Sequence, residues 1–284
     1  MIEESQLAES DGHLAPEVGA WASTKHRKIA YYSRLFATSM KGKWQSRIYL
    51  DLFAGAGKAT IKDTPTIIPG TPLLALNHPD PFDLNIFCDS DVNCITALKA
   101  RTQHYFPDSK CGFVHGNCND SIDDILRLFP RFNKAFKGLT LCLVDPFGAT
   151  DINFSTLELL SSSLYLDFLV LIPTYMDFHR NLIIYTKPDS QVVDNYLGTD
   201  SWRSDWKDSR QYPNDFGIFV AEQFCLRMKS IGFLYEGLDD LELVRMDTGK
   251  NLPLYHLAFF SKSKLGLKFW RDTRRNTTSQ LSLF

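Results

Sequence analysis

The chain has 284 residues, 44% of them hydrophobic and 23% charged, with a formal net charge of −2. That length is ample for one large α/β core and leaves little room for a second full domain. With no run of about 18 apolar residues, no transmembrane helix is expected, and with Glu3, Glu4, Glu9, Asp11 and Glu17 and no apolar stretch at the N-terminus, no secretory signal is expected. The six cysteines (Cys88, Cys94, Cys111, Cys118, Cys142, Cys225) form no C-x-x-C pair and mostly sit among apolar neighbours, so buried reduced thiols of a cytoplasmic protein are expected, and no metal site. Charge is unevenly spread. Residues 22–50 hold Lys25, Arg27, Lys28, Arg34, Lys41, Lys43 and Arg47 with no acid, and 261–275 hold Lys262, Lys264, Lys268, Arg271, Arg274 and Arg275 against Asp272. Two such segments on a near-neutral chain are either solvated faces or a surface for phosphates.

Residues 22–40 predict a helix, with Ile29, Tyr32, Leu35, Phe36 and Met40 near helical spacing and Gly42 as a breaker. Arg47–Phe53 follows as a short apolar strand suited to the middle of a parallel sheet, and Ala54-Gly55-Ala56-Gly57 ends it. A loop rich in Thr, Pro and Gly leads to Thr71-Pro72, an expected N-cap and first turn for a helix over 73–77. Strands are predicted at 84–89, 112–116, 139–144 and 168–172, alternating with helices at about 91–105, 121–129 and 154–162. The pattern breaks at 188–214, read as an insertion of loop and short helix. It resumes with a helix at 216–231, a strand at 241–246, the turn Thr248-Gly249-Lys250-Asn251 and a strand at 255–260. Alternation at this pace means βαβ units. The expected fold is α/β, with a mostly parallel seven-stranded sheet, helices on both faces and a terminal antiparallel hairpin, a layout that resembles the Rossmann-like fold of class I methyltransferases. Residues 1–20 are expected as an acidic tail free to stay flexible, and 21–284 as a single domain.

Four corners carry the chemistry. In Asp51-Leu-Phe-Ala-Gly-Ala-Gly57 an acid ends a strand and two glycines follow at once. Ligands of doubly wound sheets lie outside the carboxyl ends of the strands, and Gly55 and Gly57 let a ligand approach the backbone. A dinucleotide brings a pyrophosphate that favours a helix N-terminus, whereas an aspartate at this place suits the cationic ammonium of S-adenosylmethionine. Asp51, Phe53, Gly55 and Gly57 are therefore candidate cofactor residues. Asp89, ending the next strand, suits both ribose hydroxyls, with a helix cap as its plainer reading; Asp91 is the expected N-cap of the next helix. Asn117, after the third strand, stands where the fold places an adenine-reading acid, and an amide can make the same contacts. Its neighbours Asn119 and Asp120 equally suit helix caps. The fourth corner, Asp145-Pro146-Phe147-Gly148, leaves the fourth strand. An acceptor beside proline-stiffened carbonyls can take the hydrogens of a planar amine and aim its lone pair, while Phe147 can stack on a base. A simple Asp-Pro turn is the alternative.

With these residues in view, the chain resembles the three-Cys-motif partner protein family, TcmP. The likeness runs through Tyr49-Leu-Asp-Leu-Phe-Ala-Gly-Ala-Gly57, Gly70-Thr-Pro-Leu-Leu-Ala-Leu76, Phe87-Cys-Asp-Ser-Asp91, Leu143-Val-Asp-Pro-Phe-Gly148, Gly198-Thr-Asp-Ser-Trp202, Leu254-Tyr-His-Leu-Ala-Phe-Phe260 and Gly266-Leu-Lys-Phe-Trp270. It implies a partner protein bearing a three-cysteine motif, a motif this chain does not carry. Shorter motifs resemble others: Asp-Leu-Phe-Ala-Gly-x-Gly is similar to ribosomal-RNA guanine-N2 methyltransferases, and Asp-Pro-Phe-Gly to transfer-RNA guanine-N2 dimethyltransferases and, more distantly, to the Asp-Pro-Pro-Tyr of adenine-N6 enzymes. Gly148 departs from the second aromatic of that last motif.

The resulting expectation is an S-adenosylmethionine-dependent methyltransferase acting on an exocyclic amine of RNA or DNA, with Asp145, Pro146 and Phe147 at the target. The alternatives are a non-catalytic S-adenosylmethionine-binding partner in a multiprotein system, such as mobile-element defence, and a small-molecule methyltransferase. The basic segments favour nucleic acid, and an intact Asp145-Pro146-Phe147 favours catalysis.

Overall fold

The computed structural model describes residues 1–208, 215–246 and 251–280. The chain forms two compact units, Met1–Leu143 and Val144–Phe284. In the first, α1 (Glu4–Leu7) and the two-residue β1 (Glu17–Val18) precede the long helix α2 (Trp21–Met40). α2 buries Ala22, Ile29, Tyr32, Ser33, Phe36 and Ala37, the stripe that helical spacing anticipates. β2 (Ser46–Asp51) is buried at every position, which suits a central strand. Its one guanidinium is absorbed by backbone and an acid: Arg47 donates to the carbonyls of Ala37 (2.9 Å) and Pro81 (2.8 Å) and to Asp83 (3.2 Å).

The segment expected as a loop after Gly57 is instead a strand pair, β3 (Lys58–Ile61) and β4 (Ile67–Pro69), antiparallel to each other, with β1 added in parallel to β3. Its strands are only two to four residues long, too short for alternation to register in the sequence. α3 (Thr71–Leu76) follows with Gly70 as its N-cap and proline in its first turn. Thr71 is thus the first helical residue, and its hydroxyl goes elsewhere. β5 (Leu84–Asp89), α4 (Val92–Tyr105), β6 (Cys111–His115), α5 (Ile122–Arg127) and β7 (Gly138–Val144) complete the unit close to their expected places. Asp91 caps α4 as expected, accepting the Asn93 N–H at 2.8 Å. The strands run parallel in the order β6-β5-β2-β7.

The second unit contains α6 (Phe154–Ser163), β8 (Leu166–Ile172), a π-helical turn (Thr174–Phe178), α7 (Leu182–Tyr185), α8 (Val192–Leu197), α9 (Trp202–Asp208), α10 (Phe216–Ser230), β9 (Glu242–Arg245), β10 (Pro253–Phe260) and α11 (Lys264–Gln280). β8 is buried throughout and pairs antiparallel with β10, from Phe168 against Phe260 to Ile172 against His256. β9 pairs antiparallel with β10 on its other side. The seven strands, mostly parallel and ending in an antiparallel hairpin, are those of a Rossmann-like fold. Of the expected insertion at 188–214, α8 and α9 are its short helices, while 209–214 lie outside the described residues, as do Thr248–Lys250 of the expected hairpin turn. None of the six cysteines is in a disulfide; five are buried and Cys111 is half-buried. Among the described residues no helix is long and apolar enough to cross a membrane.

Each unit buries one neutral imidazole. His78 shares a 2.8 Å hydrogen bond between its Nε2 and Ser33 Oγ. Ser33 donates its own hydrogen to the Ala30 carbonyl, so the imidazole must supply the one in the shared bond. Burial, aided by the Arg34 charge, lowers His78 to about 4. Burial likewise lowers His256 to about 4 against the opposing pull of Asp215. Depressed histidines are neutral in the folded state where the unfolded chain binds protons, so their stabilisation is full above about pH 6.5 and is lost as pH falls toward 4. Asp167, raised by burial to about 7, works in the opposite direction, so the effect is read by comparison. Between pH 7 and pH 4.5, wild type is expected to lose more stability than His78→Gln, by up to about 3 kcal/mol in urea titrations. Equal losses in the two proteins would remove His78 as a titrating group.

Candidate functional site at the strand ends of the first unit

The turn after β2 is organised by a carboxylate with no solvent exposure. Asp51 is 0% exposed, and its oxygens accept the Phe53 N–H (3.1 Å), the Thr71 hydroxyl (2.8 Å) and the Tyr49 hydroxyl (3.3 Å). It ties the end of β2 to the turn and to the first residue of α3. The turn itself is stitched to both flanking strands, Leu52 N–H to the Leu143 carbonyl (3.2 Å) and Ala54 N–H to the Cys88 carbonyl (2.9 Å). Gly55 and Gly57 have φ of +61° and +81°, where glycine has no steric cost. A Cβ at Gly55 would meet nothing within 4 Å, whereas one at Gly57 would lie 2.8 Å from Leu98 Cδ1. Gly55 is therefore there for its backbone angle and faces open space. Gly57 is required for packing as well.

Asp89, half-buried at the end of β5, accepts the Gly55 N–H at 2.7 Å and the Asp91 N–H at 2.9 Å, one on each oxygen. It both shapes the glycine turn and holds the first residues leading into α4. Asn117, exposed after β6, closes its own turn: its side-chain oxygen accepts the Asn119 N–H at 2.9 Å, and its carbonyl accepts from Asp120 and Ser121. Asp51, Phe53, Gly55, Gly57 and Asp89 are thus joined in one hydrogen-bonded turn at neighbouring strand ends. Asn117 stands at the end of the next parallel strand, β6.

Residues that sequence reading passed over support this turn from behind. Arg101 on α4 is 1% exposed and donates to the Ala56 carbonyl within the glycine turn (2.6 Å), to the Leu14 carbonyl (2.7 Å) and, bidentately, to Asp11 (2.7 and 2.8 Å). Lys58, 2% exposed, contacts the same Asp11 at 3.0 Å and donates to the Glu9 carbonyl (2.7 Å) and Tyr105 hydroxyl (2.9 Å). The N-terminal segment expected as a free acidic tail is held down by these contacts. Burial acts to raise the Asp11 carboxyl, but hydrogen bonds from Arg101 and Lys58 outweigh it and hold it well below the usual carboxylate range. A signal existed: Arg101 falls on the buried stripe of α4, three and four residues after Leu98 and Ala97. Its partner, ninety residues earlier, left no trace in local pattern.

In the second unit, the chain leaves β7 through Asp145 (half-buried), Pro146 (buried) and Phe147, a residue 89% exposed. The following residues are pinned: Gly148 N–H donates to Asp151 (3.0 Å) and Ala149 N–H to Asp177 (2.6 Å). A Cβ on Gly148 would stand 2.9 Å from the Asp177 carboxylate, so a larger residue here would press on that buried group.

The basic segments are less available than their count suggests. Arg47 is buried, Lys41 is bonded to Asp80, and Arg271 pairs with Glu236 (2.6 Å) and Asp240 (2.8 Å). Arg274 donates to the Asp239 carbonyl and Lys262 to that of Ser161. The Arg275 side chain lies outside the described ones.

No protein-family model and no curated protein matches the chain. Among solved structures, it is similar to LPL1258 of Legionella pneumophila, a DUF519 protein, at 14% identity over 88% of this chain and 90% of that one, with a TM-score of 0.50. Two others are TYW2 of M. jannaschii in complex with AdoMet (8% identity, 87% and 78% covered, TM-score 0.42) and the Synechocystis magnesium protoporphyrin IX methyltransferase ChlM with bound SAH (10%, 89% and 90%, 0.44). The Legionella likeness is one of fold. It agrees with the strand order, which is that of class I methyltransferases.

Asp11→Ala would leave two buried cations without their carboxylate. A loss of about 3–5 kcal/mol is expected, the scale for breaking a buried ion pair from one side, measured by urea denaturation. A loss under about 1 kcal/mol would show that the N-terminal segment is not a support of the glycine turn.

Proposed function

We propose that the protein is an S-adenosylmethionine-dependent methyltransferase acting on an exocyclic amino group of a nucleic acid. The observation that carries the target half of this reading is Phe147: an aromatic residue left 89% exposed on a loop otherwise anchored by hydrogen bonds. Exposed rings are costly to keep in water and well suited to stacking on a base, an interaction worth about 1–3 kcal/mol in nucleic-acid complexes. Asp145 would accept the hydrogens of the amine, draw its nitrogen out of conjugation and direct the lone pair, with Pro146 stiffening the neighbouring carbonyls.

The first unit fits the cofactor on its own terms. The open side of Gly55 admits a ligand to the backbone. Asp89 has one N–H on each oxygen and lone pairs remaining for a ribose diol. The Asn117 amide would contact adenine. Asp51, already engaged by three internal donors, would act by holding Phe53, Gly55 and Gly57 in place. When bound, S-adenosylmethionine supplies the methyl group. TYW2 and ChlM, solved with this cofactor or its product, accord with the choice. Membership of the three-Cys-motif partner family, a partner protein of that kind and a cytoplasmic location belong to the same proposal, resting on the motif resemblance.

Two variants separate the halves of the reading. Asp89→Ala should weaken S-adenosylmethionine binding by about tenfold or more in calorimetry, since a charge-assisted contact is worth about 1.5–3 kcal/mol. Asp145→Ala should keep cofactor affinity within a few fold while single-turnover methyl transfer to cellular RNA or DNA falls by about a hundredfold. Transfer at the wild-type rate by Asp145→Ala would make the corner a turn and nothing more. A protein that binds cofactor and transfers no methyl would be the non-catalytic partner instead.

A further inference from the structure

The segment after the π-helical turn carries an arrangement that the reading above does not use. His179, Arg180, Ile183, Ile184 and Lys187 are all exposed, with Ile183 at 80% and Ile184 at 55%. No acidic residue occurs between Phe178 and Pro188. Two adjacent isoleucines held out in water, bracketed by cations, are neither a core face nor an ordinary solvated one.

The segment is rigidly founded. Phe178, with no exposure, packs beneath it against Tyr196 (4.9 Å between ring centres) and Tyr185 (6.1 Å). The π turn is locked because α10 passes directly under it: a Cβ on Gly217 would lie 2.2 Å from the Thr174 carbonyl. π turns are uncommon and concentrate at functional sites.

The same segment is coupled to the Asp145-Pro146-Phe147 loop through one buried carboxylate. Asp177, 7% exposed, accepts the Ala149 N–H from that loop (2.6 Å), the Tyr185 hydroxyl from α7 (2.7 Å) and the Asn181 amide. α7, which carries Ile183 and Ile184, and the loop that carries Phe147 are therefore held by opposite sides of a single side chain.

We infer that residues 179–187 form a nucleic-acid contact surface, in which Arg180 and Lys187 meet phosphates and Ile183 and Ile184 act as an apolar wedge against the bases flanking the target. The inference rests on the proposed amine chemistry, because a base must leave its stack before its amine can be reached. Isoleucines pushed between base steps are a known way to stabilise that opening, and cations on either side suit a polyanion rather than an apolar protein partner. Phe147, on the loop that shares Asp177, is positioned to stack on the extruded base.

The test measures binding of a short fluorescein-labelled RNA hairpin and of a mixed-sequence DNA duplex across a salt series, with S-adenosylmethionine calorimetry as a control of folding. One variant combines Arg180→Glu with Lys187→Glu, the other Ile183→Ser with Ile184→Ser. The charge variant should bind the preferred probe about tenfold or more weakly, with the slope of log K against log salt reduced by about 1.4–1.8, two phosphates' worth. The apolar variant should also bind about tenfold more weakly, with its slope unchanged. Wild-type affinity in either variant overturns the inference and leaves the proposed function standing. Failure of the wild-type protein to bind either probe at low salt overturns the nucleic-acid reading itself. Benzoylphenylalanine in place of Ile183, in an otherwise native chain, should crosslink to the bound probe on irradiation; no crosslink from a probe that is bound also overturns the inference.

Discussion

Everything in the first unit's candidate site follows from burying one carboxylate at the end of β2. An ionised carboxylate removed from water costs several kcal/mol unless donors replace the lost hydration. Asp51 finds its donors in Tyr49, two residues back, in Phe53, two residues on, and in Thr71 at the start of α3. Those donors lie on the strand, the turn and the helix that follows, so satisfying the two buried oxygens fixes all three. The glycines answer the backbone angles that result. Gly70 completes the knot, its N–H donating to the Gly57 carbonyl at 2.7 Å so closely that a Cβ there would crowd the Gly57 backbone.

The second unit uses the same device with a different acid. Asp177 also lies at the centre of a buried network, and its donors likewise come from separate stretches of chain: a loop N–H, a side-chain amide and a phenol. Burial, together with hydrogen bonding to Asp177, raises the Tyr185 phenol above its usual range, so that this group remains a donor under all ordinary conditions. For the proposed role of this loop, presenting Asp145 and Phe147 to a substrate, such an anchor matters, since mispositioning of about 1 Å can remove much of a catalytic advantage.

The division between what the sequence discloses and what it withholds follows the range of the interactions. β2, β5, β7 and β8 are legible because burial on both faces leaves continuous apolar runs. α2 and α10 are legible because their buried residues recur at helical spacing, and the Asp91 cap because its partner is two residues away. Asp51, Gly55, Gly57 and Asp89 could be selected because strand ends and glycine pairs are local features. Their mutual bonding is not legible in the sequence, and it changes the picture: Asp51 suits the ammonium by its place in the motif, yet its oxygens already serve three internal donors. The small sheet of β1, β3 and β4 escaped because its strands, two to four residues long, hold too few repeats for alternation to stand out. The Asp11–Arg101 pair escaped because it joins residues ninety apart through side chains that resemble ordinary surface charges until their burial is known.

A contrast within the polar and apolar groups bears on where the proposed recognition surface lies. Acids that a motif reading assigns to ligands, Asp51 and Asp89, turn out to have structural partners as well, so their presence alone does not distinguish a binder from a scaffold. Basic residues counted toward a polyanion surface are in several cases committed to carbonyls and acids of their own unit. Large apolar side chains behave differently, because water offers them nothing and the fold had the option of covering them. Phe147 and Ile183, at 89% and 80% exposure, remain uncovered on elements that Asp177 holds firmly from beneath. Rigid support and exposed apolar surface are together what a recognition surface needs, since ordering a floppy apolar loop on binding would subtract from affinity. The groups the fold leaves uncovered, more than those it satisfies, indicate where a partner is to be sought.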